Sequence, residues 1–312
     1  MAPGVTVDAL QRLRSRMRIV LVEPRYGGNV GATARAMKTM GLHDLWLVAP
    51  REHLTPEALW TAVHAQDLIT GAHVAASVTA ATADCVFVVG TSVRDRHLPL
   101  PVLTPRAAAA AMTSAALHGN VALLFGNETS GLSGEQLSCC NCHVRIPADP
   151  DCSSLNLAMA VQLLAYELRL AALDAVGNVA VDASGIAIAR PDAPRSPAGM
   201  LVPRAPPGQR ATARAPSTAG QLAGLLEHAE RTLTAIGFYD PRKPRLLVKR
   251  LRRLFARARL EQAEMHLLRG ILAAVDRTAG RGADAAVAQP ARDQADPQPS
   301  GQPAQSTGVG EG

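Results

Sequence analysis

Aromatic residues make up only 3% of this 312-residue chain. With 47% hydrophobic residues overall, a core must be built from alanine, leucine and valine. Cysteine is scarce too. There are 5, an odd number without framework spacing, which excludes a disulfide scaffold. Thiols in that number suit a reducing compartment. No apolar run approaches the ~20 residues of a membrane span. Residues 1–18 carry no apolar signal core, so we expect no secretory peptide and a cytoplasmic protein that stays off the membrane. A complete metal-ligand set is missing as well. Cys139, Cys140, Cys142 and His143 cluster, but no second ligand pair follows at a suitable distance. We expect no metal and read the cluster as the small apolar opening of a strand.

What the chain does hold is a formal net charge of +6, which suits a polyanion partner without requiring one. It also holds a regular alternation of patterns. Arg18-Ile19-Val20-Leu21-Val22 is an apolar run of the kind found in strands buried on both faces. Pro24 stops it. Val30, Ala34, Met37 and Leu42 follow at helical spacing, with Gly41 closing the helix. Asp44 to Val48 is a second strand, completing a βαβ unit. Pro56 to His64 reads as a short helix, and residues 71–83 show no clear period. Asp84 to Gly90 is a third strand, running into a polar loop from Thr91 to Arg96. Pro105 opens an alanine-rich helix through Leu117, and Gly119-Asn120 turns into the strand 121–125. A glycine-punctuated loop, 126–132, a short run ending at Ile146-Pro147, a polar turn and an apolar helix from Leu155 to about Leu173 complete the pattern. We expect an α/β domain with a mostly parallel sheet over residues 18–174. Ligands bind such sheets at the C-terminal ends of strands, where both polar loops lie.

Outside this domain the composition changes. Residues 1–17 read as a solvated lead-in, although Leu10, Leu13 and Met17 also fit a short basic helix. In 175–216 proline recurs without any period, which marks a linker. Residues 217–278 read as a small all-α domain. Leu247, Leu251, Leu254 and Ala258 share one helical face, with Lys249, Arg252, Arg253 and Arg257 away from it, and no acid stands between Pro241 and Leu260. Met265, Leu268, Ile271 and Leu272 form the inward face of a further helix. Residues 279–312 are expected to be disordered.

Two segments offer chemistry. After the first strand a dinucleotide fingerprint would need Gly-x-Gly-x-x-Gly and a later acid, but Tyr26 stands in the first glycine's place and the next strand ends without an acid. The segment offers instead an amide, Asn29, and a guanidinium, Arg35, expected near the same end of the helix. Arginine there opposes the helix dipole and hints at an anionic partner. In the second segment Gly126 and Gly131 permit close backbone approach, and Glu128 sits between them, placed to bond loop amides. Ser153 or Ser154 suits the helix N-cap, but a cap does not explain Ser153-Ser154-x-Asn156 as a set.

Taken in order, Asn29-x-Gly31-x-x-x-Arg35, Phe125-Gly126-Asn127-Glu128-x-x-Gly131-Leu132 and Ser153-Ser154-Leu155-Asn156-Leu157-Ala158 resemble the SpoU branch of the SPOUT RNA 2′-O-methyltransferases. Gly90-Thr91-Ser92, the run 35–42 and the basic stretch 249–259 are similar to its TrmJ type, which modifies cytidine or uridine 32 of tRNA. The resemblance covers residues 18–167 and 222–274. It implies a trefoil-knotted, Rossmann-like sheet, a homodimer, tRNA as partner and S-adenosylmethionine as cofactor. It assigns the cofactor to Thr91, Ser92, Val93, Gly126, Ile146, Ser153, Ser154, Leu155 and Asn156. Catalysis would fall to Arg35, Asn29, Glu128, Ser154 and Asn156, and RNA contact to Arg35, Lys249, Arg250, Arg252, Arg253 and Arg257. A guanidinium stays protonated at ordinary pH and is a poor general base, so Arg35 is expected to grip phosphate and steady alkoxide charge. Asn127 departs from the arginine found in some TrmJ-type proteins. Two alternatives stay open: a SpoU-type enzyme for rRNA or another tRNA ribose, and a non-catalytic RNA-binding protein.

Overall fold

The computed structural model describes residues 3–52, 54–93, 100–176, 179–181, 187–189, 215–244 and 246–287. The chain runs α1 (Pro3–Arg14), β1 (Met17–Val22), α2 (Gly27–Met40), β2 (Asp44–Val48), α3 (Pro56–Thr61), α4 (Gln66–Thr70), β3 (His73–Ala75), α5 (Val78–Thr82), β4 (Cys85–Thr91), β5 (Val102–Leu103), α6 (Pro105–Ala116), β6 (Asn120–Phe125), α7 (Gly134–Ser138), β7 (Cys142–Val144) and α8 (Leu157–Ala175). A short antiparallel hairpin, β8 (Val179–Val181) with β9 (Ala187–Ala189), follows, and then α9 (Ala219–Ala235), α10 (Leu247–Ala258) and α11 (Gln262–Val287).

Strands β1 to β7 form one parallel sheet in the order β3-β2-β1-β6-β4-β7-β5. Helices clad both faces, which is why β1 is buried along its whole length. Ile19, Leu21, Leu123 and Phe125 point to one side, packed with Met37 of α2, Met112 of α6 and Leu164 and Leu168 of α8. Val20, Val22, Val88, Ala122 and Leu124 point to the other, packed with Ala81 of α5 and Leu137 of α7. At the foot of the sheet the charged Arg18 is only 5% exposed. Its Nη1 donates to Asp84 Oδ1 at 2.7 Å and to the Ala81 carbonyl at 2.6 Å, its Nε donates to Asp44 at 3.0 Å, and its guanidinium lies 4.1 Å from the Trp46 ring centre. Pairing of this completeness is what allows a guanidinium inside a buried strand.

The structure corrects several expectations. The lead-in is a helix, α1, whose Leu13 is buried against the core and which packs on α8, because its leucines repeat at helical spacing. Residues 71–83 hold a three-residue strand and a one-turn helix, too short to show a period. In the helical domain, Leu225, Leu260 and Met265 form the core with Phe255, Leu268 and Leu272. Leu254 and Ile271 were expected inward but are 49% and 52% exposed. Helix α10 is wedged between α9 and α7, so two neighbours, not one apolar stripe, set its orientation. Most of the linker 175–216 and residues 288–312 lie outside the described residues, as do residues 94–96 of the polar loop after β4. Helix α11 continues past residue 278.

Candidate active site

Adjacent strands β4, β6 and β7 end on the same side of the sheet, so the loops that follow them converge. Between them lies an open cleft. Thr91, Ser92 and Val93 line it at the end of β4, residues 125–132 after β6, Val144 and Ile146 at β7, and Ser153, Ser154, Leu155, Leu157 and Ala160 around the start of α8.

The loop 126–132 is held in a tight fold by Asn127. Its Oδ1 accepts from the Thr129 and Ser130 backbone N–H groups at 3.1 and 2.8 Å and from Ser130 Oγ at 3.0 Å, and its carbonyl accepts from Gly131 N at 2.9 Å. Asn127 is thus a loop-shaping residue, a role the sequence pattern left unassigned. Gly131 sits at φ 67°, the left-handed region. A Cβ on Gly126 would overlap the Gly131 carbonyl carbon and Leu132 N, so the loop closes only over a glycine.

Glu128 reaches out of this loop to α2. Its carboxylate accepts from Arg25 N at 3.1 Å, Tyr26 N at 3.4 Å and Asn29 Nδ2 at 2.9 Å. Tyr26, at the N-cap of α2, provides no side-chain cap, and Glu128 supplies acceptors to the residues that lead into the helix from the loop after β6. Asn29 in turn accepts from Asn156 Nδ2 at 3.0 Å. Asn156 Oδ1 accepts from Ala158 N at 2.9 Å and Met159 N at 3.4 Å, which makes Asn156 the N-cap of α8. The cap is therefore neither Ser153 nor Ser154, and both serines remain on the cleft wall. A continuous relay, Glu128–Asn29–Asn156, joins the starts of α2 and α8 at the cleft.

Arg35 is not part of that relay. It is exposed, makes no hydrogen bond or ion pair with the described residues, and does not line the cleft. Six residues on a helix amount to about 9 Å along the axis and two-thirds of a turn beyond a full one, so Asn29 and Arg35 leave α2 in different directions. The face between Gly28 and Gly31 is occupied by α3: Thr61 Oγ1 donates to the Gly28 carbonyl at 3.1 Å, and a Cβ on Gly31 would overlap the Ala58 carbonyl oxygen.

Thr91, Ser92, Val93, Gly126, Ile146, Ser153, Ser154 and Leu155 all line the cleft; Asn156 does not, but it follows Leu155 directly in the chain. Sequence reasoning missed Thr129, Ser130 and Val144, which carry no motif beyond their neighbours. Cys140 and Cys142 are buried, and burial pushes the Cys142 thiol up to about 12. No group of three His, Cys, Asp or Glu among the described residues is placed to hold a metal ion, and no helix there is long and apolar enough to cross a membrane. On α10, Lys249, Arg250 and Arg257 are exposed while Arg252 and Arg253 are half-buried.

Residues 16–166 match the family described as SpoU rRNA Methylase, and residues 220–284 match the tRNA methyltransferase TrmJ C-terminal domain. The tRNA (cytidine/uridine-2′-O-)-methyltransferase TrmJ of Klebsiella pneumoniae subsp. pneumoniae is 42% identical over 260 residues, covering 83% of this chain and 96% of that protein. This chain belongs to the TrmJ family of SpoU methylases. The TrmJ protein of Escherichia coli strain K12 is likewise 42% identical, covering 83% of this chain and 95% of its own length. Among solved structures, TrmJ from Z. mobilis ZM4 is similar with a TM-score of 0.65 and 31% identity, over 83% of this chain and 98% of that one. A probable methylase family protein from Haemophilus influenzae Rd KW20 is similar with a TM-score of 0.50 and 35% identity, over 85% and 97%. The SpoU match runs from before β1 into α8, and the TrmJ C-terminal domain match begins in α9 and ends in α11.

Proposed function

We propose that this TrmJ-family chain transfers the methyl group of S-adenosylmethionine to the ribose 2′-hydroxyl of nucleotide 32 in the anticodon loop of tRNA, working in the cytoplasm as a homodimer. The observation that carries this reading is the Glu128–Asn29–Asn156 relay, whose Glu128 lines the cleft. It ties the helix bearing Arg35 to the loops suited to a cofactor.

S-adenosylmethionine fits the residues present. Gly126 leaves a cradle that a Cβ would fill. Val93, Ile146 and Leu155 supply apolar wall for an adenine, and the hydroxyls of Thr91, Ser92, Ser153 and Ser154 supply partners for its ribose and methionine ends. When bound, the cofactor supplies a sulfonium methyl group open to in-line attack. The protein's own residues then orient the acceptor, and its hydroxyl proton leaves to water. Ser154 and the Asn29–Asn156 pair position the ribose. Glu128 holds Asn29 and the first turn of α2 in place. Arg35 grips the neighbouring phosphate and steadies charge on the attacking oxygen; its fork suits that work better than a point charge would.

Arg35 lies off its own cleft, and Tyr26, at the entry to α2, and Met159 and Tyr166, on α8, are 59%, 67% and 49% exposed. In this reading two chains pair through these helices, and Arg35 of one serves the cleft of the other. Strand β7 sits between β4 and β5 in the sheet, a crossed order that supports the trefoil knot implied by the family.

Incubating total tRNA with labelled S-adenosylmethionine and mapping 2′-O-methyl groups tests the reading. Methylation of nucleotide 32 is expected. Methyl groups confined to another ribose, or to rRNA offered in parallel, would refute the target assignment. Arg35→Lys should lower the methylation rate on the order of 100-fold with cofactor affinity unchanged; a near-normal rate would rule out the bidentate grip.

A further inference from the structure

The basic helical domain is not merely tethered to the catalytic domain by the segment before it. It is docked at defined points. Asn141 stands between β4 and β7: its backbone N donates to the Val88 carbonyl at 2.8 Å, and its Oδ1 accepts from Val88 N at 2.8 Å. Its Nδ2 is then directed outward and donates to the Ala256 carbonyl of α10 at 3.0 Å. Three residues on, at the end of α10, Arg259 adopts φ 53°, a left-handed conformation that glycine normally occupies. Its guanidinium lies 4.1 Å from the centre of the Phe87 ring in β4. Gly220 N donates to the Ala83 carbonyl at 2.9 Å, and α10 also touches α7, which follows the cleft loop.

These contacts converge on the strands that carry the cleft. Phe87 and Val88 lie in the strand that ends at Thr91. Asn141 immediately precedes the strand that leads to Ile146. We propose that Asn141 and Arg259 are positioning residues: they fix α10, with its exposed Lys249, Arg250 and Arg257, at a set distance from the cofactor cleft. The helical domain then acts as a ruler that selects which ribose reaches the cleft. This rests on the tRNA reading above. Affinity comes from the charges on α10; alignment comes from the dock.

The test uses the full chain and two variants. Asn141→Asp keeps the acceptor for Val88 N but removes the donor to Ala256. Arg259→Gly suits the positive φ and removes the guanidinium from the Phe87 ring. Affinity for tRNA and for S-adenosylhomocysteine, the single-turnover rate at saturating tRNA, and the methylated position are measured for each, with thermal melting as the check on folding. Unchanged affinities, a rate lower on the order of 10- to 100-fold and methyl groups spread to neighbouring riboses are expected. An unchanged rate and position in both variants would overturn the ruler. So would a loss confined to tRNA affinity or to cofactor affinity, since these residues would then be ordinary binding contacts. A wild-type chain that methylates no tRNA would overturn the functional reading itself, and the ruler with it; variants that match an active wild type overturn only the ruler.

Discussion

Glu128 serves a helix that begins a hundred residues before it. The sequence separation to Asn29 is 99 positions, and to its other partners 103 and 102. Glu128→Ala leaves Arg25 N, Tyr26 N and the Asn29 side chain, at the entry to α2, without those acceptors. The expected cost is about 1–2 kcal/mol, read as a lower urea midpoint with an unchanged slope, together with a slower methylation rate. An unchanged midpoint would mean that water satisfies these groups equally well. The residue types of this site were legible in the chain, because a single cap does not account for Ser153, Ser154 and Asn156 as a set. Their partners were not. Ser153, Ser154 and Asn156 are all good caps, and only the folded position of α8 gives that role to Asn156 and leaves the serines on the cleft wall.

Loops and strand ends are governed by closeness of approach and by buried charge. Gly126→Ala should cost about 1–3 kcal/mol of stability through overpacking, and S-adenosylhomocysteine affinity should fall with it, measured by calorimetry; normal affinity would show that the loop relaxes freely. At the foot of the sheet, burial would raise the Asp84 carboxyl, but hydrogen bonds from Arg18 and Asn120 outweigh it and hold the group below its ordinary value. A depressed carboxyl contributes stability above its unfolded pKa of about 3.9, and that stability is lost as pH falls through the folded value. Asp84→Asn should therefore be less stable than wild type at pH 7, and the gap should close in the acid range below about pH 4. A gap independent of pH would assign the effect to packing. The main elements were readable from continuous apolar runs and from Pro105, Gly41 and Pro24. The short pieces β3, β5, α5 and α7 were not, because two to five residues cannot display a period.

For the whole molecule, charge on α10 and its placement are separate quantities. Neutralising Arg250 and Arg257, both exposed, should weaken binding evenly across tRNAs and lower the slope of log affinity against log salt by about one for each phosphate contact removed. A slope that does not change would remove these residues from the interface. The sequence by itself determined the alternating α/β pattern, the order of three motifs after strands, the basic helical domain and the resemblance to the SpoU methylases. These follow from local periodicity and residue type, which act over a few residues. Only the tertiary structure decided that α1 joins the core, that Asn29 meets Glu128 and Asn156 while Arg35 points elsewhere, and that α10 docks through Asn141 and Arg259. Those outcomes depend on which surfaces meet after distant segments pack, and a periodic pattern carries no information about the partner that will cover it.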